Sequence, residues 1–195
     1  MIELESFFFD QIDTPIDEIT IVVDPDGAMR MLWFAGGEER PPENHRRDKS
    51  IDVGWRTAFR RRFPGVALIE KPDPFGHSTT LRAYFAGDMG ALDRIPVVFG
   101  GTPFQNKVWK ALRKIPTGRT MSYGALAKKI GKPNAMRAVG MANGSNPIGV
   151  VVPCHRVIGS NGSLTGFGGG LPRKKWLLEH EARHCGAQFE LEASA

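Results

Sequence analysis

The strongest constraint on the fold is a change of character around Val97–Gly101. Before it, short apolar runs alternate with turn residues, as strands do. After it, apolar residues recur at helical spacing between caps and Gly or Pro breaks. Charge changes sign at the same place. Residues 1–97 hold 12 Lys and Arg against 17 Asp and Glu, and residues 98–195 hold 14 against 4. The reading is an α/β domain over 1–97 followed by a mainly helical domain over 98–195. A basic second half points to a polyanion partner, with plain solubility as the alternative.

In the first half, Ser6–Ile12, Ile19–Val23 and Met29–Phe34 read as strands of a meander, the last two joined by the turn sequence Asp24-Pro25-Asp26-Gly27. Residues 36–49 are polar with two prolines and read as a loop. Asp52–Phe63 reads as a basic amphipathic helix with Val53, Ala58 and Phe59 inward, stopped by Pro64-Gly65. Val66–Ile69 is a further strand, and His77–Ala86 a helix with Ser78 as its cap.

In the second half, Thr102-Pro103-Phe104-Gln105 is a capping box that opens a helix to about Leu112. Ser122 caps a helix over Tyr123–Ile130, Gly131-Lys132-Pro133 breaks it, and Asn134 caps another to about Asn143. Two short helices across a Gly-containing turn, with Lys128, Lys129, Lys132 and Arg137 around them, are a helix-turn-helix pattern. Val150–Val152 reads as a buried strand leading into Pro153-Cys154-His155-Arg156-Val157. An imidazole and a guanidinium beside a thiol favour the nucleophilic thiolate. An inert buried cysteine is the alternative at this point.

Other patterns narrow the chemistry. Thr165–Gly170 is glycine-rich but lacks the Lys and the spacing of a phosphate loop, so its backbone is expected to pass close to a planar ligand or another segment. His180-Glu181-Ala182-Arg183-His184 matches the zinc-protease pattern, but that pattern needs its helix to continue to a third ligand, and here Cys185-Gly186 follows at once with little sequence after it. It reads instead as the end of a helix over Lys174–Arg183, with cations at the negative end of the dipole. Cys154 and Cys185 are too few for a disulfide framework or a four-cysteine metal site and suit a reducing compartment. No apolar run approaches the roughly 20 residues of a membrane span. The start, MIELESFFFDQ, carries acids where a signal peptide needs bases. The expectation is a cytoplasmic protein without a membrane partner.

Taken in order, Gly101–Gln105, Val108-Trp109, Ser122-Tyr123, Arg137–Gly140, Ala142–Pro147, Val152–Gly159, Thr165-Gly166, Gly169-Gly170, Trp176–Leu178 and His180-Glu181 carry a resemblance. The chain resembles the O6-alkylguanine-DNA alkyltransferases, in particular the bacterial single-polypeptide type. The match covers nearly the whole second half. The first half matches only in layout, which implies a variable α/β domain of ribonuclease-H-like form.

The resemblance implies stoichiometric, irreversible transfer of an alkyl group from O6-alkylguanine, and from O4-alkylthymine, in double-stranded DNA to Cys154, with the nucleotide flipped out. It implies His155 as the base acting through a water and Glu181 as the carboxylate orienting it. Asn146 takes the place of the hinge residue, and Tyr123 that of the phenol donating to the departing guanine. Arg137 takes that of the finger filling the vacated stack, with further DNA contacts at Ser122, Ala138, Gly140, Lys132 and Thr102. Base and loop contacts fall to Tyr123, Pro153, Val157, Phe167, Gly168, Gly169 and Lys174. Phe167 and Gly168 stand where many members carry Tyr and some carry Ser, which removes side-chain hydroxyl contacts there. No cofactor is implied. No cysteine lies in 1–97, so the zinc of some animal relatives is not expected. The implied form is a monomer, with cooperativity on DNA left open. Three rivals remain: a lesion-binding relative, which would lack the acceptor Cys; a plain helix-turn-helix regulator, which needs no Cys-His-Arg; and a zinc hydrolase.

Overall fold

Turn chemistry sets the first half. Asp24 Oδ1 accepts from the Ala28 N–H at 2.8 Å, and Gly27 sits at φ 84°, where a side chain is disfavoured. The turn lets β2 (Asp17–Val23) and β3 (Met29–Phe34) pair antiparallel, and β2 pairs antiparallel with β1 (Ser6–Thr14). β4 (Ala67–Glu70) then lies parallel to β1, giving the order β3-β2-β1-β4. The computed structural model describes residues 5–35 and 49–186, with backbone alone for 49–53. The expected loop over 36–49 therefore falls outside the described residues, except that Lys49 opens a helix.

That helix, α1 (Lys49–Arg62), crosses between β3 and β4 and ends in Arg60, Arg61 and Arg62, favourable at a negative helix terminus. Its buried anchors are Trp55 and Phe59, packed on Phe7, Phe9, Val22 and Met31. Ala58, expected inward, is only half-buried, because the larger Trp55 ring takes the centre of the contact. The side chain of Val53 lies outside the described residues. α2 (His77–Phe85) starts after Gly76 without a side-chain cap. Ser78, expected as that cap, is buried in the first turn, and its hydroxyl donates to Asp10 on β1. It ties the helix to the sheet.

The second half is helical. α3 (Pro103–Leu112) has the expected capping box: Thr102 Oγ1 accepts from Gln105 N, and Gln105 Oε1 accepts from Thr102 N at 2.9 Å. Ser122 caps α4 (Tyr123–Lys129), accepting from Ala125 N at 3.1 Å. α5 (Met136–Gly144) follows a turn in which Gly131 has φ 69°. Asn134 does not cap α5; Ala135 holds that position with no side-chain bond, and a backbone bond from Ala135 N to Lys132 O closes the turn. α6 (Leu171–Cys185) starts earlier than expected because Pro172 fits its first turn, and Gly186 at φ 63° ends it.

The run Val150–Val152 is buried as expected, but it is a tight turn and not a strand. Backbone bonds from Val151 N to Gly149 O and from Val152 N to Ile148 O fold it back on itself, with Val150 at φ 66°. A β-branched residue there costs on the order of 1–3 kcal/mol and persists only where surrounding contacts enforce it. Cys154–Arg156 then form one 3-10 turn, leading into β6 (Val157–Ile158), which pairs parallel with β5 (Met121–Ser122).

The two halves share a seam. β3 bonds through Met29 N to Pro96 O and through Leu32 N to Pro147 O, each at 2.8 Å. The main core runs without a break from Ile19 and Ile21 through Leu81 and Tyr84 to Trp109, Val152 and Leu177. The turn that carries Cys154 is thereby pinned against the sheet. Among the described residues no helix is long and apolar enough to cross a membrane.

Candidate active site

The thiol is held from both flanks. Asn146, just beyond α5, donates from Nδ2 to Cys154 Sγ at 3.1 Å and to Val152 O at 2.8 Å, while its Oδ1 accepts from Ile148 N. One side chain therefore fixes the tight turn and the sulfur together. Asn143 Nδ2 donates to Cys154 O at 3.4 Å. Burial pushes the Cys154 thiol up; the Asn146 donor and the Lys174 charge pull the other way without cancelling it. The resting group is thus a thiol. The sequence expected Arg156 to make the surroundings of the sulfur electropositive, but that guanidinium is spent elsewhere.

Arg156 and His155 converge on Glu181. His155 Nε2 donates to Glu181 Oε1 at 2.9 Å, and Arg156 donates from Nε at 3.0 Å to Oε2 and from a terminal nitrogen at 2.8 Å to Oε1. The Gly118 N–H and the Tyr84 hydroxyl complete the shell at 3.1 and 2.9 Å. Burial alone would raise the Glu181 carboxyl, but His155 and Arg156 outweigh it and hold the group well below the usual carboxylate range. Burial lowers His155, outweighing its attraction to Glu181, so the ring rests neutral. With Nε2 donating, Nδ1 carries the lone pair, and it is buried with no partner among the described residues. A neutral imidazole with a free basic nitrogen, directed by a fixed carboxylate, is equipped to take a thiol proton.

Lys174 on α6 is fully buried and donates to Val157 O and Thr165 O, each at 2.6 Å. It ties the loop 159–168 at both ends. Burial lowers its ammonium to about 8.

A cavity of about 590 Å³ reaches Cys154, bounded by β3, the end of α1, the start of α3, Asn143–Pro147 and Phe167–Gly169. A second, of about 480 Å³, is bounded by Tyr123, Met136, Arg137, Gly140 and the loop Thr165–Gly168. Gly144, Phe167 and Gly168 line both.

The residues expected from the sequence divide accordingly. Cys154, His155, Glu181 and Asn146 come together. Tyr123, Arg137 and Gly140 share the second cavity, with Phe167 and Gly168 between them and Cys154. Gly169 lines the first. Pro153, Val157 and Lys174 are buried and line neither; Val157 and Lys174 meet through the bond that anchors the loop. Lys132, Arg137 and Ala138 are exposed around the α4–α5 pair with Ser122 half-buried, and Thr102 is exposed at the start of α3. The histidines of the zinc-protease pattern do not converge with Glu181. His180 Nε2 donates to Tyr84 O, and His184 Nδ1 to His180 O.

Sequence reasoning missed Tyr84, Gly118 and the role of Arg156. The sequence around Tyr84 carries no signal for this contact. For Arg156, a charged residue within an apolar stretch was a signal that it needs a buried counter-ion.

A buried thiol next to a His–Glu pair and reached by a cavity is the arrangement of a cysteine nucleophile. Residues 103–183 match the family described as 6-O-methylguanine DNA methyltransferase, DNA binding domain. The methylated-DNA–protein-cysteine methyltransferase of Shigella flexneri is 45% identical over 172 residues, 88% of this chain and 94% of that protein. Its namesake from Mycolicibacterium paratuberculosis is 54% identical over 123 residues, 63% and 74% of the two chains. The Mycobacterium tuberculosis OGT structure in complex with DNA superposes with TM-score 0.69 at 37% identity, covering 91% of this chain and 94% of that one. The O6-methylguanine-DNA methyltransferase of Pyrococcus kodakaraensis superposes with TM-score 0.62 at 27% identity, covering 90% and 98%. The chain belongs to the methylated-DNA–protein-cysteine methyltransferases, enzymes that repair DNA by moving a methyl group onto a cysteine.

Proposed function

We propose that Cys154 is the acceptor and that it reacts once, with O6-alkylguanine, or O4-alkylthymine, swung out of double-stranded DNA. The observation that carries this is the continuous line from Asn146 through Cys154 and His155 to Glu181, with a cavity that reaches the sulfur. His155 takes the thiol proton at Nδ1, through a water. The sulfur attacks the alkyl carbon, and that carbon's bond to O6 breaks. The base leaves with the electron pair and receives a proton from Tyr123. The thioether has no hydrolytic exit, so each chain acts once, as a monomer that needs no cofactor.

The alkyl carbon in a duplex is out of reach of any side chain, so the nucleotide is extruded at a cost of a few kcal/mol. The α4–turn–α5 pair, with Lys132 and Arg137 exposed, suits a helix-turn-helix docked on DNA, and Arg137 suits the vacated stack. Ser122, Thr102, Ala138 and Gly140 belong to that surface. Phe167 and Gly168 offer the base backbone and ring contacts. The order β3-β2-β1-β4, with β4 parallel to β1, supports a ribonuclease-H-like first half over 1–97 and a DNA-binding, acceptor half over 98–195. The reduced cysteines fit a cytoplasmic enzyme.

Intact mass after mixing with duplex O6-methylguanine DNA is the test. The expected gain is about one methylene, mapped to Cys154 and abolished in Cys154→Ala. A gain mapped to exposed Cys185 overturns the assignment.

A further inference from the structure

The two cavities meet at Phe167 and Gly168, and only one of them reaches the sulfur. Displacement at carbon needs that carbon at Cys154 Sγ, so, resting on the reading proposed above, a substituent under attack enters the first cavity, and whatever is attached beyond its reacting carbon extends there. At about 590 Å³, that space is roughly twenty times a water-sized methyl group. It lies in the range of pockets built for whole ligands.

Its walls are specific. Glycines keep the approach open: a Cβ at Gly169 would stand 2.7 Å from Phe167 and 2.8 Å from Phe34, and one at Gly149 would stand 3.5 Å from Phe34. Trp33 and Phe34 of β3 supply an apolar side. Arg61 and Arg62 of α1 also line it, and no Asp or Glu lines the cavity among the described residues. Arg62 is short of partners. Its Nε and one terminal nitrogen are buried without a hydrogen bond among the described residues, and its described contact is the Phe63 ring, with the centroid at 5.9 Å. Burial and the neighbouring charge of Arg30 both disfavour the Arg62 cation. Arg30 is itself already paired with Asp24. Buried guanidinium nitrogens without acceptors, beside an apolar cavity, are suited to an incoming anion.

We propose that this cavity receives the transferred group, and that Arg62 selects O6 substituents that end in a carboxylate. The bond formed is from Cys154 Sγ to the first carbon of the substituent. The bond broken is from that carbon to O6. The thiol proton is taken by His155, the departing guanine receives one from Tyr123, and the carboxylate is carried over unchanged to sit against Arg62. The selection rests on α1 and β3, so it belongs to the first half of the chain and gives that half a part in substrate choice.

Single-turnover transfer from duplexes carrying O6-methyl-, O6-butyl- or O6-(3-carboxypropyl)guanine tests this, each rate divided by the rate with O6-methylguanine for the same protein. The carboxypropyl group is expected to outrun butyl by roughly tenfold, the worth of one charged hydrogen bond. Arg62→Met should bring that ratio to about one, and Arg62→Lys should retain most of it. Equal rates for butyl and carboxypropyl in the unaltered protein overturn the selection. Transfer of methyl with no transfer of either longer group overturns the receiving cavity. An unchanged ratio in Arg62→Met, with weaker binding to undamaged duplex, assigns Arg62 to a DNA phosphate instead. Failure with O6-methylguanine itself would sink the proposed acceptor chemistry, not this inference.

Discussion

The Tyr84 hydroxyl, on the second helix of the N-terminal half, donates to Glu181 Oε1 at 2.9 Å, and the same oxygen accepts from His155 Nε2. The Tyr84 carbonyl in turn accepts from His180 Nε2 at 2.9 Å. One residue of the first half thus grips α6 both at Glu181, which steers the proposed base, and at its neighbour His180. Burial, reinforced by Glu181, holds the phenol well above its ordinary value, so it stays a donor across the working pH range.

Tyr84→Phe therefore removes a donor without opening a cavity. The expected loss is about 1.5 kcal/mol in urea unfolding, since the partner is a buried charge. It should also leave Glu181 a stronger acceptor, which favours protonated His155. The acid limb of the single-turnover rate lies below the ordinary His value of about 6.5 in the unaltered protein, because burial lowers His155. In the variant that limb should move up. A stability loss with an unmoved limb assigns Tyr84 to packing alone.

Lys174 gives a pH dependence of opposite sign to a surface lysine. Its ammonium loses its proton near 8 in the fold but near 10.5 in the unfolded chain, so between those values the unfolded chain holds more protons. Stability attributable to Lys174 should then rise with pH, by up to about 3 kcal/mol across the window, and be flat below it. The comparison is with Lys174→Met, both in a Cys154→Ala background so that the thiol does not titrate in the same range. Denaturant unfolding at pH 7 and pH 10 should show the unaltered lysine gaining on methionine. A constant difference shows that the ammonium is solvated and not buried.

Local signals that match local physics were readable from the sequence. The Asp24–Gly27 turn, the Thr102–Gln105 box and the Ser122 cap each satisfy their own backbone within a few residues, and all three formed as read. Reading failed where a distant partner decides. Ser78 looks like a cap but is claimed by Asp10, 68 residues away. Tyr84 meets Glu181 across 97 residues. Three adjacent valines fit a buried strand or a buried turn equally well by pattern. The choice lay with Asn146, which clamps Val152 and Ile148 into the turn. Cys154, His155, Asn146 and Glu181 were recognisable by resemblance, but the split between two cavities, and Arg62 at the wall of one, needed the fold.

The division of labour between those cavities makes the last prediction sharp. Arg137 is exposed on α5 and lines the cavity that does not reach the sulfur. On the proposed reading, a guanidinium there stabilises an extruded nucleotide by occupying its place in the stack and takes no part in breaking the bond at carbon. Arg137→Ala should slow transfer from duplex DNA by roughly tenfold to a hundredfold, in line with a few kcal/mol of extrusion energy left uncompensated. Reaction with free O6-alkylguanine base, which needs no extrusion, should change little. Binding of either protein to duplex should weaken as salt rises, because phosphate contacts release counterions, and the slope should fall little if Arg137 acts in the stack. Equal slowing on duplex and free base would place Arg137 in the chemical step and not in the stack.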